Sequence, residues 1–275
     1  CDRPELMPWH EEVLESEFST KVVGEIGSFE DYLALENVVF TELEQRFYVD
    51  TGSVPEHSIE RYSRGSLADP GQRQPNWNRS FELPNDTAIG GVLLLHGMSD
   101  SPYSLRALGE ALQQRGYHVV GLRMPGHGTI PSGMLYLQWQ EIAAVVRLGM
   151  LHLAQRLPGK PLHIIGYSTG GPLALDYALQ AQQDSTLPPA ARLVLISPAI
   201  GVSPAAAMAK WSRRLSRLPG LHQLAWLDIQ PEFDPYKYNS FTTNAAEQVH
   251  ELTQSVANRI AARTDAEQPL PPILI

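Results

Sequence analysis

A serine framed by two glycines is the residue of this chain best suited to chemistry. Residues 166–170 read Gly-Tyr-Ser-Thr-Gly, with the apolar run 162–165 before them and a helix-forming stretch after them. Where a strand turns this tightly into a helix, a Cβ at Gly166 or Gly170 would collide across the turn, and the serine is held in a sparsely populated backbone region. We therefore predict that Ser168 is a nucleophile, with its Oγ at the carboxyl edge of a sheet.

A serine that attacks a carbonyl group needs donors for the negative oxygen of the tetrahedral intermediate, normally two backbone N–H groups. The N–H of Thr169, directly after the serine, is the first candidate. The second is the N–H of Met98, because His96-Gly97-Met98 follows the apolar run 90–95, as the loop after an upstream strand should. Two such features at matching positions predict an oxyanion hole.

The elements that must position these residues alternate regularly from residue 88. Apolar runs with the character of buried strands alternate with stretches of helical periodicity, which favours an α/β fold with a mostly parallel sheet covered on both faces. Ser101 is the expected N-cap of the first helix, with Pro102 at its first position. The predicted strands span 88–97, 117–123, 161–166, 191–197 and 271–275, and the helices between them span 101–116, 137–157 and 169–183.

Two regions lie outside this alternation. Residues 1–77 form an N-terminal extension, with one amphipathic helix predicted over 28–48 and an irregular arm after it. Residues 199–268 interrupt the pattern before the last apolar run, and they are interpreted as an inserted lid, an element that closes a site and excludes water. The core is expected to comprise residues 78–198 and 269–275.

Three stretches carry a resemblance to a known family: LLLHGMSDSPYS (93–104), LRMPGHGT (122–129) and IIGYSTGGPLAL (164–175). They are similar to the α/β-hydrolase superfamily, and within it to bacterial carboxylesterases and the monoacylglycerol-lipase-like, serine aminopeptidase-like branch. The resemblance covers residues 78–275. It implies an α/β-hydrolase fold with an inserted helical lid, and hydrolysis of esters, or less often amides, through an acyl-enzyme with no metal or organic cofactor.

The resemblance also implies a general base and an acid that the sequence does not supply. In the superfamily an Asp or Glu follows the strand after the lid, and a His follows the next strand. Here that strand is the run 271–275, so the acid and the His are expected beyond Ile275. Within the chain, His250 is an alternative base on a helical stretch, whereas His96 and His127 are expected to have structural roles.

Composition and charge narrow the choice of partner. With 275 residues the chain is long enough for one large α/β core, and its formal net charge of −9 makes nucleic acid an unfavourable partner. No apolar run approaches the roughly 20 residues that cross a bilayer. A small-molecule or lipid ester is the expected substrate, and the sequence does not indicate an oligomeric state.

The one cysteine is Cys1, which stands where an initiator Met would be expected. A chain that starts with Cys resembles a bacterial lipoprotein after signal-peptide cleavage, and acylation of Cys1 would attach it to a membrane surface, with about 0.8 kcal/mol from each buried CH₂. That interpretation predicts a cell-envelope location, facing the periplasm or the exterior, with residues 2–17 as a polar tether. A cloning boundary and a cytoplasmic location are the alternative.

The function expected from these features is that of a serine hydrolase that cleaves carboxylic esters of a largely apolar acyl group, such as a monoacylglycerol or a lysophospholipid. The apolar side of residues 205–226 would either line an acyl-chain pocket or form the core of the lid itself. Two alternatives stay open: a peptidase or amidase with the same nucleophile, and a non-catalytic, membrane-tethered binding module without a base.

Overall fold

The sheet is the element on which the rest of the fold is arranged. The computed structural model describes residues 4–21, 24–48, 58–200, 222–264 and 269–275. The strands are β1 (Phe81–Leu83), β2 (Gly90–Leu95), β3 (Tyr117–Leu122), β4 (Leu162–Tyr167), β5 (Arg192–Ile196), β6 (Trp226–Asp228), β7 (Phe241–Thr242) and β8 (Ile273–Leu274). Six of them form one sheet in the order β1-β3-β2-β4-β5-β8, parallel throughout except for the antiparallel pair of β1 and β3. Strands β6 and β7 pair separately.

Helices cover both faces of this sheet. They are α1 (Pro8–Glu11), α2 (Phe29–Arg46), α3 (Tyr103–Gln114), α4 (Trp139–Arg156), α5 (Gly170–Gln183) and α6 (Thr243–Ala261), with 3₁₀ turns at Pro70–Gln72, Pro131–Leu135 and His222–Ala225. Because side chains alternate along a strand, Leu93 and Leu95 of β2 face a core with α4 and α5, while Val92 and Leu94 face the layer that holds Leu105 of α3. The predicted α/β architecture is confirmed.

One predicted helix boundary is wrong. Helix α3 begins at Tyr103 with Pro102 in the N-cap position, so Ser101 is not the cap. The N–H of Ser101 donates to the Asp100 carboxylate at 3.1 Å, which holds the residue in the preceding turn. The hydroxyl of Ser101 is buried and has no hydrogen-bond partner among the described residues.

The N-terminal segment packs onto the core. Trp9 and Leu14 are buried against α2 and the arm that follows it, and Phe18 belongs to the main core. The polar tether predicted for residues 2–17 is therefore wrong over its described part, residues 4–17, because Trp9 and Leu14 are buried and contribute to the stability of the fold. Cys1 lies outside the described residues. The helix predicted over 28–48 is α2, which Ser28 caps through its side chain.

Only part of the expected lid lies within the described residues. Helix α6 buries Leu252 and Val256 in the same cluster as α4 and α5, and Arg259 on α6 pairs with Asp176 on α5. This part of residues 199–268 is thus joined to the core, while the helix expected over 205–218 lies outside the described residues. Among the helices that the structure describes, none combines the length and apolar character needed to span a membrane.

Candidate active site

Ser168 occupies the tight turn between β4 and α5. Its φ is +50°, in the left-handed region that side chains rarely adopt. A Cβ at Gly166 would lie 2.1 Å from the Gly170 carbonyl oxygen, and a Cβ at Gly170 would lie 2.2 Å from the Leu95 carbonyl oxygen. A side chain at either glycine would therefore collide with the backbone of this turn.

Backbone hydrogen bonds hold Ser168 in this conformation. Its N–H donates to the Ile196 carbonyl of β5, and its own carbonyl accepts the N–H groups of Gly171 and Ala199, all at 3.0 Å. The side chain is half-buried, and its Oγ makes no hydrogen bond to a described residue. A serine fixed by its backbone with an unengaged hydroxyl is suited to nucleophilic attack.

The loop after β2 lies directly beside this serine. A Cβ at Gly97 would be 3.2 Å from the Cβ of Ser168, so the Gly97–Met98 peptide borders Ser168. Thr169 is 2 % exposed and occupies the N-cap position of α5. Within the described ranges, neither the Met98 N–H nor the Thr169 N–H donates a hydrogen bond. Both remain available to an anionic oxygen, and the N-terminus of α5 favours negative charge there.

A tight turn fixes the course of this loop. Ser99 has a φ of +65°, and the Asp100 N–H donates to the Gly97 carbonyl at 3.2 Å. The Tyr238 N–H donates to the Ser99 carbonyl at 2.8 Å, which ties the loop to the segment between β6 and β7. The backbone at Met98 is thus fixed before any ligand arrives.

His96 is a structural part of the same loop. Its Nδ1 lies 2.8 Å from the Gly97 carbonyl oxygen, and its Nε2 accepts the Met124 N–H at 3.1 Å. Because Nε2 accepts a backbone N–H, the proton resides on Nδ1 and the imidazole is neutral. Burial, with a smaller contribution from His127, holds the pKa of His96 well below its usual range. This neutral histidine therefore orients the loop without taking up a proton.

His127 is equally buried, and it contacts the His96 ring at a centroid distance of 5.2 Å. Its Nδ1 lies 2.9 Å from the Pro125 carbonyl, and its Nε2 has no partner among the described residues. Burial lowers its pKa to about 4. The expected turn-shaping role fits this geometry.

The structure brings no base to Ser168 among the residues it describes. His250 lies half-buried on α6 and His222 lies exposed in the 3₁₀ turn before β6, and neither makes a hydrogen bond to Ser168. In the same ranges, no group of three or more His, Cys, Asp or Glu side chains could hold a metal ion. The predicted nucleophile and oxyanion donors thus lie together, and no proton acceptor is bonded to Ser168 in the part of the chain that the structure describes.

Sequence reasoning missed a buried charge cluster behind this loop. Arg123, at the end of β3, is fully buried and pairs with Glu17 through both terminal nitrogens at 2.9 Å and with Glu36 through Nε at 3.1 Å. Its carbonyl accepts the Tyr32 hydroxyl at 2.7 Å, and its guanidinium also donates to the His127 carbonyl at 2.9 Å. The cluster connects the N-terminal segment to the edge of the site.

One signal for this cluster was present in the sequence. Glu36 lies on the face of α2 that buries Tyr32, Val39, Phe40 and Leu43, since these positions follow the helical repeat. A carboxylate on an apolar face needs a buried partner. The identity of that partner could not be deduced, because Arg123 lies 87 residues away along the chain.

Comparisons with known proteins agree with the observed fold. A family model described as serine aminopeptidase, S33, matches residues 86–265. A thermostable monoacylglycerol lipase of Bacillus sp. (strain H-257) is 39 % identical over 85 residues, which are 31 % of this chain and 33 % of that protein, so the match spans about a third of the relative's length. The structure of a metagenome-derived lipolytic enzyme is similar in fold, with a TM-score of 0.53 and 23 % identity over 66 % of this chain and 71 % of the other. The chain has an α/β-hydrolase fold and belongs to the serine aminopeptidase, S33, family.

Proposed function

We propose that the protein hydrolyses carboxylic esters through an acyl-enzyme formed on Ser168. One observation carries the proposal: Ser168, at a φ of +50°, lies beside two backbone N–H groups, of Met98 and Thr169, that donate to no described residue. The pairing of a fixed nucleophile with two unengaged donors is what acyl transfer requires.

The reaction runs in two steps. The Ser168 Oγ attacks the ester carbonyl carbon and gives its proton to a general base, while the carbonyl oxygen becomes an anion that the Met98 and Thr169 N–H groups bind. Collapse of this intermediate breaks the bond to the alcohol, which leaves with a proton from the base. Water then attacks the acyl-enzyme in the same manner, and the acid and free Ser168 are released. The proposal assigns the base to a histidine outside the described residues.

Esters of apolar acyl groups, such as a monoacylglycerol, are the proposed substrate class. The likeness of 85 residues to a monoacylglycerol lipase supports this choice. The same site could cleave an amide, and the aminopeptidase description of the family favours that second candidate. Monoacylglycerols, p-nitrophenyl esters of increasing chain length and an aminoacyl p-nitroanilide distinguish the two, and the proposal expects faster turnover of the esters.

Labelling of the full-length protein with a fluorophosphonate tests the nucleophile directly. We expect Ser168→Ala to abolish both labelling and ester hydrolysis, because the reagent bonds only to an activated serine. Ser185→Ala is the matched control, since Ser185 is exposed in the turn after α5 and should label and turn over as the natural protein does. Labelling that persists in Ser168→Ala would contradict the assignment, and absence of labelling in the natural protein would favour a binding module.

The acylation of Cys1 and the cell-envelope location stay predictions. The intact mass of the protein purified from its native membrane or periplasm tests both, because two or three acyl chains add a mass that no other common modification reproduces.

A further inference from the structure

The Gly97–Met98 peptide carries two groups with opposite directions. A trans peptide is planar, so its C=O and N–H point to opposite sides, and fixing one of them fixes the other. The Gly97 carbonyl lies 2.8 Å from His96 Nδ1 and accepts the Asp100 N–H at 3.2 Å. These two donors therefore determine where the Met98 N–H points.

In the neutral state, His96 can donate from Nδ1 only while its Nε2 lacks a proton. The Met124 N–H, which donates to Nε2 at 3.1 Å, selects this tautomer. If Met124 moved away, the other tautomer would become accessible, and an unprotonated Nδ1 would then face the Gly97 carbonyl oxygen and repel it. The position of the Met124 N–H thus controls the hydrogen bond to Gly97.

Met124 follows Arg123, whose position is set by the N-terminal segment. Glu17 and Glu36 bind the guanidinium, and the Tyr32 hydroxyl donates to the Arg123 carbonyl, which belongs to the same peptide as the Met124 N–H. Besides its hydrogen bonds to Ser80 and the His127 carbonyl, Arg123 is thus held at both its side chain and its backbone carbonyl by Glu17, Tyr32 and Glu36. These three residues lie upstream of the segment 86–265 that the family model matches.

From this chain of contacts we infer that residues 17–36 hold the Met98 N–H in its oxyanion-binding direction, with Arg123 and His96 as the positioning residues between them. The inference rests on the proposed function, because it assigns a role in the same site. It gives the N-terminal segment a part in the rate of reaction beyond its part in stability.

Two substitutions at His96 separate its hydrogen bonds. In His96→Asn the side-chain amide takes the place of Nδ1 and can still donate to the Gly97 carbonyl, whereas in His96→Gln the amide takes the place of Nε2 and that donor is lost. We expect His96→Gln to lower kcat for ester hydrolysis by about 10- to 100-fold with little change in KM, part of the loss seen when an oxyanion donor is removed. His96→Asn should retain a larger share of kcat.

Two substitutions on α2 test whether the contact between the N-terminal segment and Arg123 influences kcat. Glu36→Gln removes a charge that faces Arg123, while Glu44→Gln removes one that pairs with exposed Arg64 at 2.7 Å, eight residues further along the same helix. We expect Glu36→Gln to lower kcat about 3- to 10-fold and to weaken binding of an alkyl boronic acid, whose adduct with Ser168 places an oxygen in the hole. Glu44→Gln should leave both unchanged.

A measurement independent of turnover completes the test. In the full-length protein labelled with ¹⁵N-methionine, the Met98 amide resonance should shift in Glu36→Gln and stay in place in Glu44→Gln. If the natural protein turns over esters while His96→Gln and Glu36→Gln keep its kcat, the inference is overturned and the proposed function stands. If the natural protein has no activity, the proposed function fails, and a Met98 resonance unaffected by Glu36→Gln would overturn the inference as well.

Discussion

Two arginines bind carboxylates of the N-terminal segment, and they do so in opposite environments. Arg123 is 0 % exposed between Glu17 and Glu36, whereas Arg46 is 34 % exposed and pairs with Glu12, which is 50 % exposed, at 2.8 Å. Pairs near water contribute little because hydration competes with them, while removal of one buried partner leaves a charge without compensation. An arginine–carboxylate pair is therefore expected to contribute little to stability at Arg46 and much more at Arg123.

The largest expected change in the free energy of unfolding comes from replacing Arg123, and the same replacement at Arg46 is the comparison. Arg123→Met should lower the free energy of unfolding by about 3 to 5 kcal/mol, because Glu17 and Glu36 lose their counter-charge inside the protein. Arg46→Met should lower it by about 0 to 1 kcal/mol. Urea denaturation measures both, and adding Glu36→Gln to Arg123→Met should restore part of the loss. Equal losses for the two arginines would show that burial does not decide the difference.

Lowering the pH should change the contributions of two carboxylates to stability in opposite directions: Glu36, which pairs with Arg123, and Glu42, which pairs with Arg46. Burial raises the pKa of Glu36 above its ordinary 4.5, so the folded state binds this proton more readily, and the contribution of Glu36 to stability grows as the pH falls from the folded pKa to 4.5. Partial burial acts the same way on Glu42, but hydrogen bonds from Ser16 and Arg46 outweigh it and lower its pKa to about 2.

The contribution of Glu42 is therefore complete above about pH 4.5 and is lost as the pH falls toward 2. The free energy of unfolding, measured against pH for the natural protein, Glu36→Gln and Glu42→Gln, isolates each carboxylate by difference. Difference curves with slopes of the same sign would contradict the prediction.

The smallest expected change is the effect of salt on the free energy of unfolding. At 1 M NaCl the screening length is about 3 Å, so the pairing of Arg46 with Glu12 should lose its already small contribution. Arg123 is out of contact with water, and the cost of Arg123→Met should stay the same with and without salt. Urea denaturation of both variants in low and high salt gives the comparison, and a cost for Arg123→Met that falls with salt would mean that ions reach this cluster.

The surroundings of Ser168 and the N-terminal segment also differ in how far the sequence predicts them. The turn at Ser168, the strands around it and the loop at Met98 are encoded locally, by glycine spacing and apolar runs, and the structure places them together as expected. The catalytic roles of Ser168, Met98 and Thr169 stay predictions that activity and labelling measurements will test. Local signals failed at Ser101, where the side chain of the preceding Asp100 captures the N–H and the helix begins two residues later.

No local pattern in the sequence predicts how the N-terminal segment packs. Trp9, Leu14 and Phe18 follow neither a helical nor a strand repeat, so a stretch rich in Glu is interpreted as a polar tether although these side chains are buried. The pairing of Arg123 with Glu17 joins positions 106 residues apart. Only the tertiary structure brings such partners together, and a single sequence contains no signal that would identify them.

The hydrogen bonds that hold Ser168 set an order of events during synthesis. The turn depends on Ile196 and Ala199, which lie about thirty residues downstream, because their backbone groups bond to the serine. A nascent chain that has released β4 and α5 from the ribosome still lacks β5, so Ser168 keeps the hydrogen bond from the Gly171 N–H but lacks those with Ile196 and Ala199. Ser168 therefore acquires its full set of backbone hydrogen bonds only after β5 has joined the sheet, so an incomplete chain lacks the completed turn.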